Sequence, residues 1–224
     1  MRPIPIQCNL MPSSLAEAKA TGLTYSEYSV SEKGDELRRL KAVEQGGLCG
    51  YCECKLTDEG GVLPKKVAHI DHFYQQSRYP KKIFDWENMV LSCEDANTCG
   101  RYKDRQKKYA DIDIINPHVE NPRKYITFVQ SSKFRMRAVA VSTLNPEERE
   151  RAKHTIDALQ LNDQRLLTQR RIAWETFRES VEGLLKEPQT GDWFEYVDLM
   201  LQDMENHEFP STLIANAKAI LGLS

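Results

Sequence analysis

Between residues 48 and 104 two pairs of cysteines bracket a cluster of histidine, aspartate and asparagine. The order is Cys49-Gly50-Tyr51-Cys52, His69-Ile70-Asp71-His72, Trp86-Glu87-Asn88, then Cys93 and Cys99. Cys-x2-Cys followed by Cys-x5-Cys offers four thiolates on two short loops, the donor set that a tetrahedral structural zinc takes from a protein. The expected ligands are Cys49, Cys52, Cys93 and Cys99. Cys54 is a rival that would replace one of them, and Cys8 is an ordinary cysteine. The bland alternative is a set of reduced, buried core thiols.

The His/Asp cluster has a second chemistry. On a strand His69 and Asp71 face one side and His72 the other. A carboxylate beside an imidazole suits metal-assisted hydrolysis of a phosphodiester. Asp71 would hold a hard divalent cation such as Mg²⁺ or Mn²⁺. A neutral His72 would take the proton from the attacking water. The cation would polarise the phosphate, and Asn88 would orient His72 through a side-chain hydrogen bond. Arg101, Lys103, Arg105 and Lys107 follow closely and are candidate phosphate contacts, where neutralised charge makes binding salt-dependent. A solvated helix face explains them equally well.

Alone, His-x-Asp-His is weak; bracketed by cysteine pairs it is specific. Cys-Gly-Tyr-Cys-Glu, His-Ile-Asp-His-Phe, Asp-Trp-Glu-Asn and Cys-Gly-x-x-Lys-Asp together resemble the HNH (ββα-metal) endonucleases. Within them the pattern is similar to the PtuB-like proteins of retron and Septu-type anti-phage systems. The resemblance implies a zinc-stapled ββα-metal core with Asp71-His72 opening it, and a metal-dependent nuclease cutting DNA or RNA. It further implies a PtuA-like ABC ATPase partner and, in retron-linked systems, a reverse transcriptase with its RNA and DNA. One position departs from the pattern: where many HNH proteins carry Asn or His after the last cysteine, this chain has Gly100. Asp104, four residues on, can face the same site and is the expected replacement ligand, with His69 and Asn97 as rivals.

Other classes fit less well. A zinc deaminase needs His-x-Glu with Pro-Cys-x-x-Cys, and neither is here. A zinc-stabilised module that binds nucleic acid or protein without catalysis is the alternative, although such a module has no need of Asp71-His72. His118, His154 and His207 have no partner at ligand spacing and are expected on the surface. Trp174, Phe177, Trp193 and Tyr196 are expected in the core or at a partner contact.

The elements that position these residues follow from pattern. The chain has 224 residues, 40% hydrophobic and 29% charged, which suits a soluble protein with a buried core. No apolar run reaches about 18 residues and the start lacks a signal-peptide pattern, so a cytoplasmic protein is expected. Charge is uneven: the middle is basic, and between residues 179 and 208 Lys186 is the single base among many acids. The expected class is α+β, divided into an N-terminal arm and helix (1–45), the zinc-bearing nuclease region (46–116) and a mainly helical partner-docking region with one hairpin (117–224). Helices are expected near 13–20, over 31–45 with Ser31 as cap, and over 100–110. Asn145-Pro146-Glu147-Glu148 is a strong helix start, and Asn162-Asp163 opens another. Pro188 and Gly191 break the chain before two last helices. Short strands are expected at 66–73 and 89–92, and a hairpin over 125–141 around Ser131-Ser132-Lys133.

Overall fold

A computed structural model describes residues 1–64, 66–106, 108, 110–131, 135–187, 189 and 191–223. Lys107, Ser132 and Lys133 (expected between the hairpin strands), Phe134 and Pro188 lie outside the described residues. Among the described residues, helices mix with two small antiparallel pairs of strands. Among the described residues no helix is long and apolar enough to cross a membrane.

The first 45 residues form helices α1 (Ser13–Thr21), α2 (Tyr25–Ser29) and α3 (Glu32–Glu44). Thr24 and Glu27 close a reciprocal capping box that starts α2. Ser31 stands at the N-cap of α3, but its hydroxyl donates to the Tyr28 carbonyl at 2.6 Å. Gly34 is required there, since a Cβ would lie 2.3 Å from the Ser29 carbonyl oxygen of α2. Leu37 of α3 is buried, while Val43 is largely exposed. Instead, Lys41 and Glu44 are buried as an ion pair at 2.7 Å. Glu44 also accepts from the Trp86 indole at 2.7 Å, and Lys41 donates to the Trp86 carbonyl at 2.8 Å. A small cluster of Leu15, Ala18, Tyr28, Leu37, Trp86 and Met89 seals this layer.

Strands β1 (Ala68–His72) and β2 (Met89–Cys93) pair antiparallel, with Ala68 opposite Cys93 and His72 opposite Met89. Helix α4 (Cys99–Arg105) packs back on both, shorter than the expected 100–110 because the chain is already extended at Gln106. Its Gly100 N–H donates to Ser92 Oγ at 3.1 Å.

The C-terminal half holds the hairpin β3 (Ile126–Gln130) and β4 (Met136–Ala140), then α5 (Pro146–Ala158), α6 (Gln164–Leu184), α7 (Gly191–Met204) and α8 (Pro210–Leu221). Asn145 and Glu148 form the cap expected for α5, with Pro146 in its first turn. Gly191 begins α7 rather than only breaking the chain. One cluster of buried apolar side chains runs from Met1 and Ile4 through Val90 and Leu91 to Trp174 and Leu221. Cys99 N–H donates to the Leu159 carbonyl at 2.9 Å, and Phe209 N–H to the Glu53 carbonyl at 2.9 Å. Trp174 and Trp193 lie in the core, while Tyr196 is exposed. His118 is a correction to the surface expectation: it is buried, 3.3 Å from the Ile4 carbonyl and 3.2 Å from that of Met89. Two carbonyl acceptors on separate segments drew the ring inside, and no local pattern announces such partners.

Candidate metal centre and catalytic cavity

The cysteine loops bring thiols together through backbone geometry. Cys49 N–H bonds to the Cys54 carbonyl at 2.9 Å, and Glu53 adopts φ +68° to close the knuckle. Gly50 lets the loop lie on the core, where a Cβ would fall 2.5 Å from Val90 Cγ1 and 2.8 Å from Ile4 Cδ1. Cys49, Cys52, Cys54 and Cys93 place their sulfurs within 4.8 Å of one another, all buried. Cys99, at the start of α4, stands 3.8 Å from Cys49, and Cys52 stands 4.0 Å from Cys93. A Zn–S bond of about 2.3 Å in a tetrahedron puts sulfurs about 3.8 Å apart, so the cluster suits a metal such as zinc. The expected set and this grouping share Cys49, Cys52 and Cys93; the structure adds Cys54 to them and sets Cys99 alongside.

Crowding splits the thiols. Burial opposes ionisation of Cys49, yet S–H donors from its neighbours outweigh that and hold it well below the ordinary thiol value. Cys93, opposed by Cys49, is brought down to about 5 by Cys52, Cys54 and Cys99. Cys54 is driven up by its contacts with Cys49, Cys52 and Cys93. A metal replaces such shared protons. Arg170 of α6 is fully buried, and Arg165 pairs with Asp95 at 2.6 Å. Both feel the thiolates of this cluster, so α6 supplies positive charge to it.

A second site is a cavity of about 600 Å³ beside β1. His69, His72, Arg101 and Asp104 line it together with Tyr25, Arg38 and Gln76. His72 is 4% exposed, and its Nε2 lies 2.8 Å from the Ile83 carbonyl. A carbonyl only accepts, so Nε2 carries the hydrogen and Nδ1 keeps its lone pair. Nδ1 meets the Gln76 amide at 3.0 Å. The Tyr25 ring stands edge-on to the imidazole with centroids 4.5 Å apart. Burial lowers His72 to about 4, so it is neutral at pH 7.

Asn88 does not reach His72. Its Oδ1 accepts from Tyr74 N–H at 2.7 Å, and its Nδ2 donates to the Lys82 carbonyl at 2.9 Å. It pins the two ends of the loop that ends beside Ile83, so it supports the imidazole from one step back. Its side chain is nearer to backbone groups that water cannot satisfy, and buried backbone groups demand partners first.

Asp71 is 1% exposed and faces α4 rather than the cavity. Its Oδ2 accepts from the Tyr51 hydroxyl and lies 3.3 Å from Lys103 Nζ. Lys103 also donates to the His72 carbonyl at 3.1 Å and to Asp104 Oδ1 at 2.9 Å. Burial lifts the Asp71 carboxyl to about 7 against the pull of Lys103. Burial opposes the Lys103 ammonium, yet Asp71 and Asp104 outweigh it and hold Lys103 above its ordinary value. Gly100 explains the departure at its position: a Cβ there would lie 2.7 Å from Asp71 Oδ1 and 2.8 Å from its Cγ.

The divalent-cation ligands expected at Asp71, Asp104 and His69 do not form a cage. Among the described residues the thiol cluster is the one grouping with three or more His, Cys, Asp or Glu ligand atoms within 4.8 Å of each other. His69 Nδ1 lies instead 3.5 Å from Glu94, and burial lowers its basicity. Asn97 is exposed and does not line the cavity. Of the expected phosphate contacts, Arg101 lines the cavity but is held by Glu94 at 2.7 and 2.8 Å. Arg105 is exposed and donates to the Ala96 carbonyl. Lys103 is buried, and its three donors already have oxygen partners. Sequence reasoning missed Tyr25, Gln76 and Tyr51. The Thr24-x-x-Glu27 capping box was the one local signal that a helix delivers Tyr25.

No family model matches the chain. The Septu protein PtuB of Bacillus thuringiensis is 30% identical to it over 139 residues, 62% of this chain and 46% of that protein. The match spans just under half of that relative's length, and within it this chain is similar to a Septu PtuB protein.

Proposed function

We propose that this chain is a nuclease that hydrolyses phosphodiester bonds of DNA or RNA, as part of a Septu-type anti-phage defence system with a PtuA-like ABC ATPase. The observation that carries the nuclease reading is His72: a neutral imidazole, fixed in one tautomer by the Ile83 carbonyl, with its basic Nδ1 at a polar cavity. A general base needs that combination of geometry and protonation state. The order β1–β2–α4 beside a thiol cluster, and the similarity to Septu PtuB, support the same reading.

In this reading the Gln76 amide, which donates to Nδ1 at 3.0 Å, moves aside for a water that gives its proton to His72 as its oxygen attacks phosphorus. The bond to the leaving oxygen breaks, and that oxygen takes a proton from solvent. Arg101 and Arg38 line the cavity as cationic donors for the non-bridging oxygens. Asn88 holds the loop, and Gln76 holds the imidazole until the water takes its place. Asp71, Asp104 and His69 do not bring their ligand atoms within 4.8 Å of one another, so they form no three-ligand site for a divalent cation.

The second reading, a metal-stapled binding module without catalysis, is favoured by that same absence of a cation cage among the described residues. The test uses the full chain with its ATPase partner, plasmid DNA, total RNA and a His72→Ala control. Cleavage that falls at least about 1,000-fold in the variant fits loss of a general base together with its positioning. A complete, triggered system that leaves both substrates intact would leave only the binding module.

A further inference from the structure

We infer that the Lys103 ammonium is the resident cation between β1 and α4, behind the cavity, filling the place beside Asp71 in which a divalent ion would otherwise lie. The idea deepens the nuclease reading and rests on it for its chemical meaning.

Three observations carry it. An ammonium has three N–H donors, and Lys103 has three oxygen partners: Asp71 Oδ2 at 3.3 Å, the His72 carbonyl at 3.1 Å and Asp104 Oδ1 at 2.9 Å. These oxygens come from both members of the Asp71-His72 pair and from the helix that closes on them. A hard cation asks for such an oxygen shell, and the lysine takes it. Next, both Asp71 oxygens are closed off. Oδ2 accepts from Tyr51 besides meeting Lys103, and Oδ1, though without a hydrogen-bond partner, is enclosed against Gly100 of α4. The orphan oxygen therefore faces helix backbone rather than the cavity. Finally, Gly100 is the residue that allows this arrangement. A side chain at 100 would collide with Asp71 and push α4 outward, carrying Lys103 away from β1.

Gly100 and the buried ammonium at 103 thus act together: the first leaves room for Asp71 against α4, and the second neutralises it. Lys103 acts as a positioning residue. It neutralises Asp71, ties β1 to α4, and braces the backbone of His72 from behind while the imidazole faces the substrate space.

The test reads metal binding apart from activity. Full-length zinc-loaded protein is titrated with Mn²⁺ and bound ion is followed by electron paramagnetic resonance, for wild type, Asp71→Asn, Lys103→Met and the double variant. Wild type and Asp71→Asn should bind Mn²⁺ alike through the millimolar range. Lys103→Met should bind at least about tenfold more tightly, one decade in Kd, and the double variant should lose the gain. A wild-type site that Asp71→Asn removes, or a folded Lys103→Met chain with no new site, overturns the inference. Should Lys103→Met not fold, the comparison of wild type with Asp71→Asn decides alone. A system that never cleaves nucleic acid removes the nuclease reading but leaves this titration as informative as before.

Discussion

His72 shows how little a residue type says until its partners are known. In the proposed nuclease its ring would serve as a base because the Ile83 carbonyl claims the hydrogen on Nε2 and burial keeps the ring neutral. The same burial has a consequence for stability. The folded value is about 4 and the unfolded value about 6.5, so below pH 6.5 the unfolded chain binds a proton that the folded one refuses. Stability therefore falls as pH drops through that window, and His72 should account for about 2 kcal/mol between pH 7 and pH 5. Urea unfolding of wild type and His72→Asn at both pH values checks this, since the difference between the two proteins cancels acid effects shared with the metal centre. Equal pH dependence in the two proteins would show that the ring is not buried neutral. The cleavage rate should also keep its acid limb below about pH 6, because the base stays deprotonated there.

At the scale of elements, the cavity has a wall that none of the chemical motifs mentions. Helices α2 and α3 pack so closely that Gly34 has no room for a methyl group: its Cβ would lie 2.3 Å from the Ser29 carbonyl. Alanine in a helix ordinarily gains about 1 kcal/mol over glycine. A contact that short with backbone forces the helices apart, and overpacking of this kind costs about 1–3 kcal/mol. Gly34→Ala should therefore lower the melting temperature in spite of its better helix propensity. It should also reduce cleavage, since α2 carries the Tyr25 ring that stands against His72. Calorimetry beside a cleavage assay reads both effects, and a variant as stable as wild type would mean that the two helices slide freely. Gly100 obeys the same logic at β1 and α4, with a carboxylate rather than a carbonyl as the obstacle.

For the whole molecule, the division of the chain at about residue 116 meets a core that crosses it. Trp174 and Leu221 belong to the same buried cluster as Val90 and Cys93. Glu53, inside the cysteine knuckle, accepts from the Ser211 hydroxyl at 2.6 Å and from its N–H at 3.0 Å. Arg165 and Arg170 set their charge beside the thiols from α6. A chain cut after residue 116 would leave the knuckle without these partners and the inner face of β2 exposed to water. The fragment should lack cooperative unfolding and release zinc to a weak chelator far faster than the full chain. A fragment that unfolds cooperatively with its metal bound would show that the first half is a domain of its own.

The sequence by itself determined the chemistry available. The cysteine spacing marked a knuckle whose thiols could hold a metal, and the helix starts at Asn145 and Asp163 were legible because caps are local chemistry. The hairpin strands at 126–130 and 136–140 were legible too, because alternation is a property of neighbouring residues, and the strands around Asp71 and Val90 showed as short apolar stretches. What only the tertiary structure decided is which of those groups meet. Cys54 reaching the thiol cluster, Asn88 bonding backbone instead of His72, His118 lying inside and Lys103 taking the oxygens around Asp71 all depend on residues distant in sequence. Burial creates these contacts: a polar group removed from water must find a partner wherever the packed chain offers one. Spacing along the sequence carries no record of that choice.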